Sequence, residues 1–478
     1  MDRFIGRKEE LAFLERIYSE ENLKTCMVTG RRRIGKTVLI TRFIQDKPSI
    51  YIKFDKGATE TINLRRIVKA ISKYTGEDQT AADYCDAMEI LGDLCSEKNI
   101  VVVFDELPYL VSDNDMVASE LQHFVDHVMQ ETKSMVIVCG SSISLMEDEV
   151  KKSDKPLYGR FFHQLSVRPF TLEEIRGFHP SMSDEDLLRT YLILGGIPYY
   201  HDGVGDLSFP DIVDRYLLRK TGFIRTDVRI WIMEELKSKG DNAMAILEAI
   251  SSGNNTYGSM QSYTGLSEYH LYSALDDMDS IGLVSKRNSM IKPKKSVIYE
   301  IVDRPVSFCY DVVERNDSIL ENRSGGGYES LRTLISTHLG KTFEGFCRDY
   351  VMTNYPCSEV GSWWGDIPVP DDEDSVQEED GRMARIQTDI DVVATIHEAN
   401  NRIVLFGECK FTKAPVGFKA LNDLKLRVHH ASPAANARFA LFSLSGFTDE
   451  LIEYAEDDDS LMLFDLDVLL GKKPLPSL

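Results

Sequence analysis

Apolar residues in the first third of the chain gather in short unbroken runs: TCMVT at 25–29, IVVVF at 100–104 and MVIVC at 135–139. Runs of this length without polar alternation predict strands buried on both faces. Between them the apolar spacing turns helical, over about 7–17, 36–45 and 62–95, with one further strand, SIYIKF, at 49–54. Strands alternating with helices predict a parallel sheet covered on both sides. After Pro169 the pattern is helical to about residue 235. Three closely spaced helices are then expected at 243–251, 257–263 and 267–281, followed by β-like stretches at 283–287 and 296–301 around a basic turn. Three helices and a hairpin make a winged-helix pattern. A connecting helix at 306–321 and a glycine-rich break at 323–328 lead to a helix from about 341 and strands at 388–396, 402–411 and 438–443.

The first buried strand runs into GRRRIGKT, a full match to GxxxxGK[ST] through Gly30, Gly35, Lys36 and Thr37. Glycines here let successive N–H groups face a phosphate, and the following helix adds its N-terminal dipole. The loop residues Arg33 and Ile34 and the first helical residue Val38 complete the expected nucleotide contacts. Lys36 is expected at the β- and γ-phosphates and Thr37 at magnesium. Some 70 residues on, VVVFDEL ends a buried strand in Asp105 and Glu106. Asp105 is the expected second holder of magnesium, and Glu106 the group that orients the attacking water. Ser141 and Ser142, after the third strand, are candidates to sense the γ-phosphate or to cap a helix.

These motifs, with FIGRKEEL at 4–11, PLYGRFF at 156–162 and GGIPYY at 195–200, resemble the archaeal-type ATPases of the AAA+/STAND group. The resemblance implies that Gly6 and Arg7 lie against adenine and ribose, that Pro198 closes over the base from a lid, and that Arg160 is a candidate for the γ-phosphate, the alternative being a structural arginine. It implies ATP and magnesium as cofactors and an ATP-driven switch as the mode of action. It leaves open both ring oligomers and monomers.

In the C-terminal part, Asp391 and Glu408-Cys409-Lys410 lie on two β-like runs joined by HEANN. An Asp and a Glu on adjacent strands offer hard oxygen ligands to magnesium or manganese, and a lysine beside them stabilises charge. The spacing resembles the PD-(D/E)xK nuclease signature, with Glu344 placed to complete the acidic set. Ile390 stands where that signature has proline. The alternative is a surface charge pair on a domain that keeps the fold without the activity.

The expected whole is therefore multidomain α/β: a P-loop core with a parallel sheet at 1–168, a helical lid at 169–235, a winged helix at 236–303, a linker at 304–335 and a restriction-endonuclease-like domain at 336–478. Two functions fit it: an ATPase switch coupled to a nuclease-like domain acting on DNA, or an ATP-dependent regulatory scaffold that binds DNA or a protein partner.

Charge changes this picture in one place. The net charge of −22 opposes loose binding to nucleic acid, and acidic residues on the presumed recognition helix, 267–281, turn the winged helix toward protein or interdomain packing as well as DNA. A basic run of Lys410, Lys413, Lys419, Lys425 and Arg427 remains as a local nucleic-acid surface, while the tract DDEDSVQEED at 371–380 is expected to be disordered. The eight cysteines form no CxxC pair, so none is expected in zinc or a disulfide. No apolar run is long enough to span a membrane and the N-terminus lacks a signal-peptide pattern, so a cytoplasmic protein is expected.

Overall fold

A computed structural model describes residues 4–21, 23–111, 114–140, 146, 149–150, 152–236, 239–291, 297–321, 327–368, 385–398, 401–431 and 437–478. Ser141, Ser142, the acidic tract and the lysines of the basic turn lie outside the described residues. The chain divides into two compact units, residues 1–170 with 197–203, and residues 171–196 with 204–478.

The first unit is built on five strands: β1 (Lys24–Thr29), β2 (Ser49–Lys53), β3 (Val101–Asp105), β4 (Met135–Cys139) and β5 (His163–Ser166). All pair in parallel, in the order β2-β3-β4-β1-β5. Every residue of β3 and β4 is buried, which is why their sequence shows no alternation. Helices α1 (Lys8–Ser19), α2 (Lys36–Phe43), α3 (Glu60–Thr75) and α4 (Tyr84–Glu97) connect and cover the sheet. The helical stretch expected at 62–95 is two helices. Thr59 caps the first by accepting from the Ile62 N–H, Gly76 ends it at φ 79°, and Asp83 caps the second. Each such cap contributes about 1 kcal/mol.

In the second unit, helices Gly240–Ser251, Tyr257–Thr264 and Glu268–Ser280 precede an antiparallel hairpin of β6 (Val284–Asn288) and β7 (Val297–Ile301). The next long helix, Gly327–Asn354, begins well before the expected position near 341. Its buried residues Leu331, Ile335, Leu339, Phe343, Phe346 and Val351 keep one helical stripe, so the chain from Gly327 is continuous helix.

The C-terminal sheet has five strands, β8 (Cys357–Pro368), β9 (Arg385–Glu398), β10 (Asn401–Lys410), β11 (Ala437–Ser443) and β12 (Leu461–Phe464). They lie in the order β12-β11-β10-β9-β8, antiparallel from β8 to β10 and parallel from β10 to β12. β8 was not fully visible in the sequence because two register shifts, near Cys357 and Gly361, break its alternation. The β6 end of the hairpin runs on against β8: Ser289 bridges Ser362, and the Met290 N–H donates to the Ser362 carbonyl at 3.0 Å. The edge of β8 is thus partly covered. No described helix is long and apolar enough to cross a membrane.

Candidate functional site

The loop after β1 owes its shape to three residues with positive φ. Gly30 sits at +148°, and a Cβ there would lie 2.7 Å from the Val167 carbonyl, so only glycine fits. Arg33 sits at 68° and Gly35 at 92°, the latter as the N-terminal residue before α2. Lys36 is buried, and its ammonium donates to the carbonyls of Gly30 at 2.7 Å and Arg31 at 3.2 Å. The lysine is held inside the loop it is expected to serve.

Across the sheet, Asp105 ends β3 and is 1% exposed. Its Oδ2 accepts from the Thr37 hydroxyl at 3.2 Å and from the Tyr51 hydroxyl. Burial, reinforced by Asp105, pushes the Tyr51 phenol above its ordinary pKa, so it stays a donor. The Asp105 Oδ1 is buried and has no hydrogen-bond partner among the described residues. Leaving a buried polar atom unsatisfied costs about 1–3 kcal/mol. A carboxylate oxygen in that state, beside a threonine hydroxyl, fits the hard-oxygen chemistry of magnesium. Tyr51 was absent from the sequence reading. It lies in no motif, and only the pairing of β2 with β3 brings it to Asp105.

Glu106 follows in the left-handed region at φ 59°, a conformation costing a non-glycine residue about 1–2 kcal/mol. The next N–H, of Leu107, donates to the Cys139 carbonyl at 2.9 Å and fixes the turn. Strain of this kind, held by its surroundings, is characteristic of functional positions.

The other expected contacts divide. Pro198 belongs to the first unit and lies beside the loop, its Cγ 3.6 Å from the Cβ position of Gly35. The Arg33 guanidinium lies 4.0 Å from the centre of the Tyr199 ring. Ile34 is fully buried, so its side chain faces the core, whereas Val38 is 60% exposed on the first turn of α2. Gly6 adopts φ 64° and opens the turn into α1. Arg7, expected against adenine and ribose, is hydrogen-bonded within the chain. It donates to Glu10 at 2.7 Å, to the Arg168 carbonyl at 2.6 Å and to the Ile34 carbonyl at 2.9 Å, and lies over the Phe170 ring. It braces the phosphate loop from behind.

Arg160, expected at the γ-phosphate, is placed at the start of β1 rather than beside the loop. It pairs with Asp126 at 3.0 Å, and its carbonyl accepts from the Thr25 hydroxyl at 2.7 Å. Thr25 is at the start of β1 and the phosphate loop is at its end. At ~3.3 Å per residue the two edges are roughly 16 Å apart. Arg160 lies at the opposite end of β1 from the loop because β5 runs parallel to β1 and enters beside its first residues.

In the second unit the ladder between β9 and β10 runs from Glu398 with Asn401 to Val392 with Gly407, so the next pair is Asp391 with Glu408. The Asp391 Oδ2 accepts the Cys409 N–H at 2.8 Å. Burial, with Glu408 and Glu344 adding like charge, holds the Asp391 carboxyl well above its usual range. Burial likewise raises Glu344, on the helix Gly327–Asn354, with Asp389 and Glu408 adding to it. The three acids are therefore electrostatic neighbours. Their oxygens are not poised together, however: among the described residues no three His, Cys, Asp or Glu side chains form a group that could hold a metal ion. Glu408, 4% exposed, is clamped instead. Lys410 donates to its Oε1 at 2.6 Å, and Arg427 to its Oε2 at 2.7 Å. Burial works against the charge on Lys410, but Glu408 outweighs it and holds the ammonium pKa up. Arg427 entered the sequence reading only as a surface cation. Its place on the helix Phe418–Ala431, packed against β10, makes it part of the cluster.

Residues 4–201 match a family described as an ATPase domain predominantly from Archaea, and residues 309–423 a family of archaeal and bacterial proteins of unknown function. An uncharacterized protein of Methanocaldococcus jannaschii is 29% identical over 372 residues, 76% of this chain and 82% of that protein. An uncharacterized ATP-binding protein of the same organism is 50% identical over 44 residues, 9% of this chain and 75% of that protein. Among solved structures, the Walker-type ATPase of Pyrococcus abyssi aligns with a TM-score of 0.49 at 20% identity, over 64% of this chain and 96% of that one.

Proposed function

The chain belongs to the ATPase family found predominantly in Archaea through residues 4–201, and from that premise we propose that it binds and hydrolyses ATP as a switch coupled to a C-terminal nuclease-like domain acting on DNA. The observation that carries the ATPase reading is the buried, partnerless Asp105 Oδ1 beside Thr37 and the phosphate loop. Thr37 and Asp105 are the residues to hold magnesium, which supplies charge neutralisation at the β- and γ-phosphates. Lys36 leaves the Gly30 and Arg31 carbonyls for the phosphate oxygens. The N–H groups of the loop, shaped by Gly30 and Gly35, bind the phosphates, and Arg7 keeps the Ile34 peptide in place. Glu106 orients a water in line with the γ-phosphate and accepts its proton as the water oxygen bonds to phosphorus and the bond to the bridging oxygen breaks, with ADP as the leaving group. The test is phosphate release from ATP by the full chain with magnesium and with EDTA. Release only with magnesium is expected, and none in either would overturn the reading.

For the C-terminal domain, Asp391, Glu408 and Glu344 would hold magnesium or manganese only once Glu408 is released from Lys410 and Arg427, and Lys410 would then stabilise charge at the phosphodiester. A second reading has specific support. Both oxygens of Glu408 are engaged by cations, which favours an ATP-dependent regulatory scaffold with an inactive nuclease-like domain. Docking of the proposed wing against β8 favours packing within the chain as one role of the winged helix, alongside contact with DNA or a protein. Incubating wild type and Lys410→Ala with plasmid and single-stranded DNA, with magnesium or manganese and with or without ATP, separates the two. Cleavage lost in the variant supports the nuclease, and no cleavage in any condition supports the scaffold.

A further inference from the structure

A cavity of about 150 Å³ opens between the β6–β7 hairpin and the helix Gly327–Asn354. Its walls include Arg287 and Glu300 from the hairpin, Arg304 from the short helix after it, and Glu344, Arg348 and Asp349 from the long helix. The three arginine side chains are only 23%, 13% and 11% exposed, in the order Arg287, Arg304, Arg348. Buried guanidiniums normally sit in close charge-assisted bonds of about 2.7–2.9 Å. These do not. Arg287 and Arg348 share one carboxylate, Glu300, at 3.4 and 3.6 Å, and Arg304 reaches the largely exposed Asp349 at 3.6 Å. The clamp on Glu408, in the same unit, has distances of 2.6 and 2.7 Å. Three guanidiniums thus line one cavity with three carboxylates, Glu300, Asp349 and Glu344, of which the first two are loosely held. Carbonyls take up part of the rest, Asp391 from Arg348 at 3.1 Å and Tyr191 from Arg304 at 3.3 Å. Among the described residues Arg287 has no such bond, and it lies over the Trp364 ring of β8 at 5.6 Å.

We propose that this cavity binds a phosphoryl group, with Arg287 of the hairpin as its principal ligand and Arg304 and Arg348 beside it. The cavity is large enough to admit a tetrahedral anion. Three fork-shaped donors facing one cavity suit phosphate oxygens better than a point cation would. Glu344 lines the same cavity, so the bound group sits next to the acids of β9 and β10. The hairpin then has a positive role: it contributes a phosphate ligand to the C-terminal domain. The source of the phosphoryl group is either a nucleic-acid backbone or a free phosphate. The first source rests on the proposed action on DNA, while the cavity itself does not.

The experiment uses the full chain carrying Lys36→Ala, so that the phosphate loop does not answer for the cavity. Thermal unfolding is followed with inorganic phosphate against chloride at equal ionic strength, and binding of labelled single- and double-stranded oligonucleotides is measured in EDTA across a salt series. Phosphate is expected to raise Tm beyond chloride. Arg287→Met should remove that rise, weaken oligonucleotide binding about tenfold and lower the salt slope by about one. Arg287→Lys should restore most of both, and Arg304→Met, on a different element, should reproduce the loss if Arg287→Met does not fold. A phosphate-specific Tm rise lost in Arg287→Met, with oligonucleotide affinity unchanged, supports the cavity as a free-phosphate site and removes the nucleic-acid source. The absence of any phosphate-specific rise, with Arg287→Met and Arg304→Met both binding oligonucleotides as the parent does, overturns the proposal. Failure of DNA cleavage alone leaves the phosphate response intact, so the two readings fail separately.

Discussion

The phosphate loop and the C-terminal acid cluster place the same kinds of residue, carboxylates and a lysine, in opposite states. At the loop, Asp105 has one oxygen held by Thr37 and Tyr51 and the other without a partner, and Lys36 rests on backbone carbonyls. At the cluster, Glu408 has both oxygens taken by Lys410 and Arg427. The first arrangement leaves coordination capacity for a cation and a phosphate. The second has spent it on internal charge pairing. Carboxylates on neighbouring strands are therefore no measure of a working metal site. What matters is which donors already occupy their oxygens.

The largest expected effect breaks the comparison at its first side. Lys36→Ala should lower ATP turnover by roughly 100-fold or more, since a charge aimed at the reacting phosphate is lost. Steady-state phosphate release checks it, and turnover equal to wild type would remove the loop from the mechanism. The next effect probes the other side. Arg427→Met leaves one oxygen of the buried Glu408 without its guanidinium, so the second unit should lose about 2 kcal/mol, as for a hydrogen bond to a charged group. Urea unfolding monitored in that unit reads the loss, and ATP turnover should be unaffected. Manganese should protect this variant more than it protects wild type, because an oxygen has been released. Equal midpoints in urea would show that the clamp is not structural. The smallest effect concerns strain. Glu106→Gly places the one residue at ease with φ 59°, so stability should rise by about 1 kcal/mol while turnover is lost. A fall in stability would mean that the contacts of the Glu106 side chain outweigh the strain.

The first site was legible because its chemistry is contiguous. Gly30, Gly35, Lys36 and Thr37 form one turn between a strand and a helix, and Asp105 and Glu106 end a strand whose burial is written in an unbroken apolar run. Backbone conformation does most of the work there, and glycine marks it. The position of Arg160 was not legible, for the complementary reason. A motif fixes neighbours along the chain but not the edge of the sheet on which it lands, and the parallel pairing of β5 with β1 decides that. Tyr51 and Arg427 were missed as site residues because each reaches its carboxylate across a tertiary contact, from β2 and from the helix Phe418–Ala431, with no local signature. The pairing of Asp391 with Glu408 was readable from the two β-like runs. The clamp that occupies Glu408 was not, since it depends on packing rather than on alternation. The hairpin's engagement with β8 was hidden for the same reason: Ser289 and Ser362 carry no mark of each other.

The most direct test measures ATP binding and magnesium-dependent phosphate release together, on wild type and Glu106→Gln. Wild type should bind ATP and release phosphate, and the variant should bind ATP with turnover reduced by roughly 100-fold or more, as for loss of a positioned general base. Equal turnover in the two, or no nucleotide binding by wild type, would contradict the assignment of this site.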